Sequence, residues 1–169
     1  MGNFFTDVIA KDARFRSTDP VSDMALLEPT FRAQVAAIIE DAQAQGIALM
    51  AFETYRSQER QALLFKRGAT KLMNVGVHHY GLAVDLVRKV NGQPSWDGDF
   101  RPLGMLAYKH KLIWGGDWGN ATVPHSFQDN VHVQRCSLVN QNRLFGGTWY
   151  PDETYDPYDD AGTVRQPVA

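Results

Sequence analysis

The spacing of apolar residues along the chain predicts three helices. The first covers residues 29–46, where apolar side chains recur three and four positions apart and Pro29 suits the first helical position. The second covers residues 57–67, with Ser57 as its N-cap, and the third runs over about residues 100–110. Residues before the first helix show no clear period.

Four apolar runs are too short for helices and predict strands. They cover residues 47–55, 82–90, 112–114 and 131–134. Asn91–Gly92 is a turn signal directly after the second run. Because helices and short strands follow one another through short links, we expect an α+β fold. It would be a single compact domain with a small, mainly antiparallel sheet and helices packed on it.

The length of 169 residues suits one domain with its own core. We assign residues 1–146 to that domain. Residues 147–169 contain several acids and aromatic rings, and we expect this C-terminal tail to pack partly on the domain. The formal net charge of −2 argues against a nucleic-acid partner, since such domains carry a basic patch. No apolar run approaches the length of a membrane span.

His78 and Asp85 are the first candidates for chemistry. Asp85 lies in the apolar run 82–86, where a lone carboxylate is costly to desolvate without a hydrogen-bonded partner or a bound cation. His132 lies in the last predicted strand, and Asp129 precedes it by three residues. Two histidines and one aspartate suit Zn²⁺ with one position left open for water. An aspartate beside that water would make the site hydrolytic.

Two motifs in this chain resemble those of a known peptidase family. Residues 76–85 resemble the Ser-x-His-x-x-Gly-x-Ala-x-Asp signature of the zinc peptidases that cut bacterial cell-wall peptides. That family includes D-Ala-D-Ala carboxypeptidases and L-alanyl-D-glutamate endopeptidases, many of them phage endolysins. Residues 129–132 match its second motif, an acid, two residues and a histidine. The resemblance covers about residues 25–135. It implies a fold like that of the Hedgehog and D,D-peptidase domains, with zinc at one end of the sheet.

The resemblance implies a role for five residues. His78, Asp85 and His132 would hold zinc, and Asp129 would be the general base that takes a proton from the attacking water and returns it to the leaving amine. Arg56 lies in a segment similar to one in which the family has an arginine facing the substrate. A guanidinium can hold a carboxylate or stabilise a tetrahedral oxyanion. The alternatives are a turn residue for Asp129 and a salt bridge at a helix start for Arg56.

Three further side chains are candidates for substrate binding, namely Tyr80, Asp117 and Trp118. Residues 114–118 resemble the Gly-Gly-Asp-Trp segment of the endopeptidase branch. Its glycines would let a peptide approach the backbone closely, and Trp118 would form a wall of the cleft. An equal alternative is a tight loop capped by a packed tryptophan.

Three further positions bear on the assignment of the site residues. Gly76 stands where the family has a serine, so the contact of that hydroxyl with substrate must come from elsewhere or be absent. His79 follows the first ligand, and we expect it to support a ligand or to lie at the surface. His125 is the alternative to His132 as third ligand.

These features predict a zinc metallopeptidase that hydrolyses the peptide stems of peptidoglycan, with Zn²⁺ as its cofactor. The Gly-Gly-Asp-Trp segment favours an endolysin-like L-alanyl-D-glutamate endopeptidase over a D-alanyl-D-alanine carboxypeptidase. A non-catalytic, zinc-stabilised cell-wall-binding module is a second alternative, although a purely structural site would not need Asp129. No signal peptide is seen. We therefore expect a protein that is made in the cytoplasm and acts on the cell wall or in the periplasm, as a phage-released enzyme would. We also expect it to be a monomer.

Overall fold

One antiparallel sheet organises the computed structural model, which describes residues 2–119 and 128–163. Its strands are β1 (Leu49–Glu53), β2 (Ala83–Val90), β3 (Gln93–Ser95), β4 (Ile113–Trp114) and β5 (His132–Gln134). The strand order is β1-β2-β5-β4, and β3 pairs with the far end of β2 across the Asn91–Gly92 turn. All four pairings are antiparallel. The predicted α+β fold is confirmed.

The α-helices of the described residues are α1 (Phe4–Asp7), α2 (Pro29–Ala44), α3 (Gln58–Lys66), α4 (Arg101–Lys109) and α5 (Gln141–Phe145). The three longer helices lie where the apolar spacing predicted them. The Ser57 side chain accepts a hydrogen bond from the backbone N–H of Arg60 and so caps α3, as expected. Within the described residues, no helix is long and apolar enough to cross a bilayer.

The main hydrophobic core lies between the sheet and the pair α2 and α4. Its fully buried side chains include Phe31, Val35 and Ile38 of α2, Ala107 of α4, Val84 and Leu86 of β2, and Val133 of β5. The opposite face of β2 begins with Ala83, which packs in a smaller cluster with Val77 and Leu144. Because both faces of β2 are covered near its start, the strand has a nearly continuous apolar sequence around Asp85.

Strand β1 contains a bulge at Phe52. Ala51 pairs with Leu86 and Glu53 pairs with Asp85, so one extra residue of β1 lies between two successive residues of β2. A bulge interrupts the strict alternation of side chains and redirects them locally. This irregularity lies directly beside Asp85.

The C-terminal segment contacts the residues that follow β5. Arg135, only 1% exposed, lies 3.2 Å from Glu28 Oε2 through Nη1 and donates through Nη2 to the carbonyls of Asp152 and Tyr155. Asp160 accepts hydrogen bonds from the Ser137 and Tyr155 hydroxyls. The division of the chain at residue 146 stays a prediction, and residues 164–169 lie outside the described part.

Candidate metal centre

Three side chains meet at one end of the sheet. Asp85 and His132 are register partners on β2 and β5, and His78 lies in the 3₁₀ turn Val77–Tyr80 that precedes β2. Asp85 Oδ1 is 3.3 Å from His78 Nε2 and 3.4 Å from His132 Nδ1. One possible ligand atom from each residue lies within 4.8 Å of the others. The structure therefore brings together the three side chains that the sequence suggested as metal ligands.

Gly81 makes the sharp turn from His78 into β2 possible. Its φ of 71° is in the left-handed region that favours glycine. A Cβ at this position would also lie only 2.6 Å from the carbonyl oxygen of Leu26 and 2.7 Å from Ile9 Cδ1. Gly81 is therefore needed for its backbone conformation and for close packing. The resulting turn places His78 over the start of β2.

The charges at the centre favour a cation. Burial would raise the pKa of Asp85, but the imidazoles of His78 and His132 hold it well below its usual value. Burial lowers the pKa of His78, despite the nearby Asp85. Burial would also lower the pKa of His132, yet the nearby carboxylates of Asp85 and Asp129 raise it. An ionised carboxylate and neutral imidazoles are the forms in which such residues bind metals.

Gln134 orients the second imidazole. Its amide nitrogen donates to the carbonyl of Cys136 at 2.5 Å, so its oxygen is the atom that lies 2.8 Å from His132 Nε2. That oxygen can only accept, which places the proton of His132 on Nε2 and leaves the lone pair of Nδ1 facing Asp85. Hydrogen bonds of this kind fix the tautomer of metal-binding histidines. Sequence reasoning missed this residue, although its place two positions after His132 on the same strand was a usable signal.

A divalent cation fits this set of donors. Asp85 Oδ1 is buried, and within residues 2–119 and 128–163 no hydrogen bond of normal geometry reaches it. An ionised oxygen in that position is costly without compensation. Two imidazole nitrogens and one carboxylate oxygen converge there, which is a donor set that zinc accepts.

Asp129 enters the same cleft from the turn before β5. Its N–H donates to the carbonyl of Gly115 at 2.9 Å, and its own carbonyl accepts from the His132 N–H at 3.3 Å. Burial raises the pKa of the Asp129 carboxyl, and the nearby Asp85 adds to the rise. A Cβ on Gly115 would lie 2.4 Å from the Asp129 carbonyl oxygen. The glycine therefore lets this turn pack against the loop that follows β4.

The next glycine has a packing role as well. A Cβ on Gly116 would lie 2.1 Å from the Trp114 ring, and one on Gly104 of α4 would lie 2.3 Å from the same ring. Trp114 Nε1 also donates to the carbonyl of Asn130 at 2.6 Å. These contacts favour the alternative of a tight loop over close approach of a peptide to the glycine backbone.

Arg56 lies on the wall of the cleft, 3.6 Å from Asp85 Oδ2 through Nη2. Its Nε donates to Glu53 Oε1 at 2.8 Å, and its Nη1 donates to Gln61 Oε1 at 3.2 Å. Arg60 pairs with the other oxygen of Glu53. Three charged or polar neighbours thus hold the Arg56 guanidinium in one position beside the metal centre.

Glu53 is the residue of this cluster that the sequence analysis missed. It is 1% exposed and stands directly opposite Asp85 in the register of β1 and β2. Two carboxylates in that arrangement repel each other. The guanidinium of Arg56 lies near both and offsets the repulsion. A carboxylate at the end of an apolar run is the same signal that singled out Asp85, so it was available from sequence.

A cleft of about 420 Å³ connects these groups. Its described lining includes the three clustered residues, Asp129, Arg56 and Trp118. The Trp118 ring lies 4.9 Å from the ring of His132. Trp118 therefore lines this cleft, and its role as a wall for the substrate stays a prediction.

The structure places the other two candidates for substrate binding away from this cleft. The Tyr80 ring stacks on Phe145 at 5.9 Å, and its hydroxyl donates to the carbonyl of Phe145. Asp117 is buried and accepts a hydrogen bond from the Tyr108 hydroxyl. Both side chains are engaged in packing of the domain, and their assignment to substrate stays a prediction.

Three remaining positions can now be located. His79 is buried among Phe5, Phe15 and Tyr55, with Nδ1 3.2 Å from the Arg56 carbonyl, because the N-terminal segment covers it. Gly76 lines the cleft, and a Cβ there would lie 3.5 Å from Gln61 Oε1. His125 falls outside the described residues.

The fold and the candidate metal centre suit a metal-dependent peptidase, and comparison with known families agrees. A family model described as D-alanyl-D-alanine carboxypeptidase matches residues 73–135, the segment that contains His78, Asp85, Asp129 and His132. The resemblance indicated by the two motifs is therefore confirmed, and so is the prediction of a peptidase.

Particular relatives can also be named. The chain is 28% identical over 142 residues to the peptidoglycan L-alanyl-D-glutamate endopeptidase CwlK of Bacillus subtilis; the match covers 71% of this chain and 81% of that protein. It is 29% identical over 107 residues to the L-alanyl-D-glutamate peptidase of Listeria phage A118, across 61% of this chain and 36% of the phage protein. Among solved structures, the Serratia marcescens L-Ala D-Glu endopeptidase ChiX aligns with a TM-score of 0.48 at 22% identity, over 70% of this chain and 92% of that one.

Proposed function

We propose that this protein is a zinc-dependent L-alanyl-D-glutamate endopeptidase that cleaves the peptide stems of bacterial peptidoglycan. The observation that supports this most strongly is the convergence of Asp85 Oδ1, His78 Nε2 and His132 Nδ1 in a cleft that Asp129 also lines. The two curated relatives reported above are named for cleavage of the same bond.

In this proposal His78, Asp85 and His132 hold the metal. A zinc ion, when bound, polarises a carbonyl and lowers the pKa of water to about 7. Asp129 takes the proton of the attacking water and returns it to the leaving amine. Its position at the turn into β5, one strand from Asp85, supports this role because its carboxylate faces the same cleft.

Arg56 would bind a carboxylate of the stem or stabilise the oxyanion that forms on the scissile carbonyl. Its hydrogen bonds to Glu53 and Gln61 hold the guanidinium before substrate arrives. Preorganised cations of this kind avoid reorganisation during the reaction. Trp118, packed beside His132, would form one wall for the peptide.

Digestion of purified peptidoglycan by the zinc-loaded protein tests the proposed bond. We expect fragments with new N-terminal glutamate, identified by mass spectrometry. Release of free D-Ala would instead support D-alanyl-D-alanine carboxypeptidase activity, which the description of the matching family favours. Absence of both products would refute peptidase action on this polymer and favour a zinc-stabilised binding module.

Metal content tests the ligand assignment separately. We expect one zinc per chain in the wild type and more than about 100-fold weaker affinity after His132→Ala, since a ligand matters at least as much as the groups that orient it. Equilibrium dialysis with elemental analysis gives both values.

The control for this prediction is His110→Ala. That histidine contacts Asp41 at the end of α4 and lies outside the centre, so zinc binding should not change. Stoichiometric zinc in the His132 variant would contradict the assignment.

A further inference from the structure

An aromatic pair, of which one ring is exposed and the other partly buried, lies at the same cleft and has no role in the mechanism above. Trp96 is 50% exposed, and its ring contacts that of Phe52 edge-on, with the centroids 4.7 Å apart. Both residues line the cleft that contains the metal centre. A large exposed apolar ring inside a functional cleft is a feature of ligand-binding sites.

The strand register gives the distance of this pair from the centre. Trp96 directly follows Ser95, which pairs with Arg88, so the antiparallel register continues to place Trp96 beside Val87, two residues beyond Asp85 on β2. At roughly 3.3 Å per residue, this is about 7 Å along the strand. Phe52 is closer still, since its neighbour Glu53 pairs with Asp85 itself. A substrate group that contacts Phe52 and Trp96 would thus be one or two residues away from the bond that is cut.

The rest of the cleft offers different chemistry. Helix α3 and the segment that follows it contribute Arg60, Thr70 and Lys71 to the lining. These cationic and polar groups suit the carboxylates of a peptidoglycan stem. The stem itself contains alanine, glutamate and a diamino acid, and none of these has a ring that could cover an exposed indole. The sugar to which the stem is attached does have such a ring, with an apolar C–H face.

We infer that Phe52 and Trp96 form a platform for the N-acetylmuramyl ring next to the cleaved peptide. This inference rests on the proposed function. In an L-alanyl-D-glutamate cut, one alanine and the lactyl group separate the bond from the sugar, which matches a spacing of about 7 Å. In a D-Ala-D-Ala cut the sugar is four residues away, beyond the reach of the pair. The aromatic platform therefore selects sugar-linked stems and favours the endopeptidase reaction.

A pair of substrates tests the platform. One is a muramyl-tetrapeptide, and the other is the same tetrapeptide without the sugar. We expect the wild type to prefer the muramyl substrate by roughly three- to tenfold in kcat/KM, as contact with an aromatic face can provide. Trp96→Ala should abolish that preference through KM, with a much larger loss on the muramyl substrate than on the free peptide, whereas Trp96→Tyr should retain most of the preference. Met105→Ala, at a 61% exposed position on α4, is the matched control.

Binding of the sugar alone separates this inference from the proposed function. The disaccharide of N-acetylglucosamine and N-acetylmuramic acid, without peptide, is titrated into zinc-loaded protein and followed by NMR. Binding that disappears in Trp96→Ala supports the platform even if neither peptide is cleaved, in which case only the proposed function fails. Equal rates on both substrates with no disaccharide binding, or an equal loss on both substrates in Trp96→Ala, would overturn the inference.

Discussion

Asp129→Asn is expected to lower kcat for stem cleavage by about 10²–10⁴-fold while the protein keeps its zinc, because general base catalysis contributes a factor of that size. The substitution preserves the shape of the side chain and the backbone hydrogen bonds of the turn to Gly115 and His132. It removes the ability to accept a proton, together with the negative charge of the carboxylate. Steady-state kinetics on a muramyl-peptide, together with zinc analysis of the same sample, measures both quantities.

The control makes the same chemical change at an exposed site. Asp97→Asn lies in the loop after β3 and should leave kcat within twofold of the wild type, roughly the effect of an ordinary surface substitution. If Asp129→Asn retains full activity, the proton must be taken by another group. If it loses both activity and zinc, Asp129 supports the centre structurally.

Arg135→Ala is expected to lower the free energy of unfolding by about 3–5 kcal/mol, the usual cost of removing one partner of a buried ion pair. Glu28 would remain buried at the start of α2 without its cation, and the carbonyls of Asp152 and Tyr155 would lose a donor. Chemical denaturation at a fixed zinc concentration measures the change, since bound ligand adds to stability.

Arg67→Ala provides the comparison for Arg135. Arg67 is exposed at the end of α3, so the expected change is within about 0.5 kcal/mol. A loss below 1 kcal/mol in Arg135→Ala would mean that water replaces the ion pair at little cost. The C-terminal segment would then contribute less to the domain than its contacts suggest.

The clustering of His78, Asp85 and His132 could be predicted from sequence because these residues occur in two short motifs. A carboxylate in an apolar strand needs compensation, and antiparallel pairing of β2 with β5 places Asp85 opposite His132. The three long helices could be predicted for a similar reason, since their apolar spacing and their caps are local signals.

The supporting residues were harder to predict because their contacts join distant parts of the chain. Glu53 meets Asp85 only through the pairing of β1 with β2, and His79 is buried only because the N-terminal segment packs over it. Tyr80 was assigned to substrate by its neighbourhood in sequence, yet its ring turns toward Phe145. A motif specifies which residues are near one another along the chain but does not specify which side of the backbone each of them occupies.

The bulge in β1 has a consequence for how this cleft can change. Without the extra residue, neighbouring side chains at positions 52 and 53 would project to opposite sides of the sheet. With it, the aromatic ring of Phe52 and the carboxylate of Glu53 both reach the cleft. A one-residue deletion here would separate the aromatic and ionic surfaces of the cleft in a single step, whereas a point substitution removes only one of them. Among relatives with this fold, length variation at this position should therefore accompany a change in the substrates they accept.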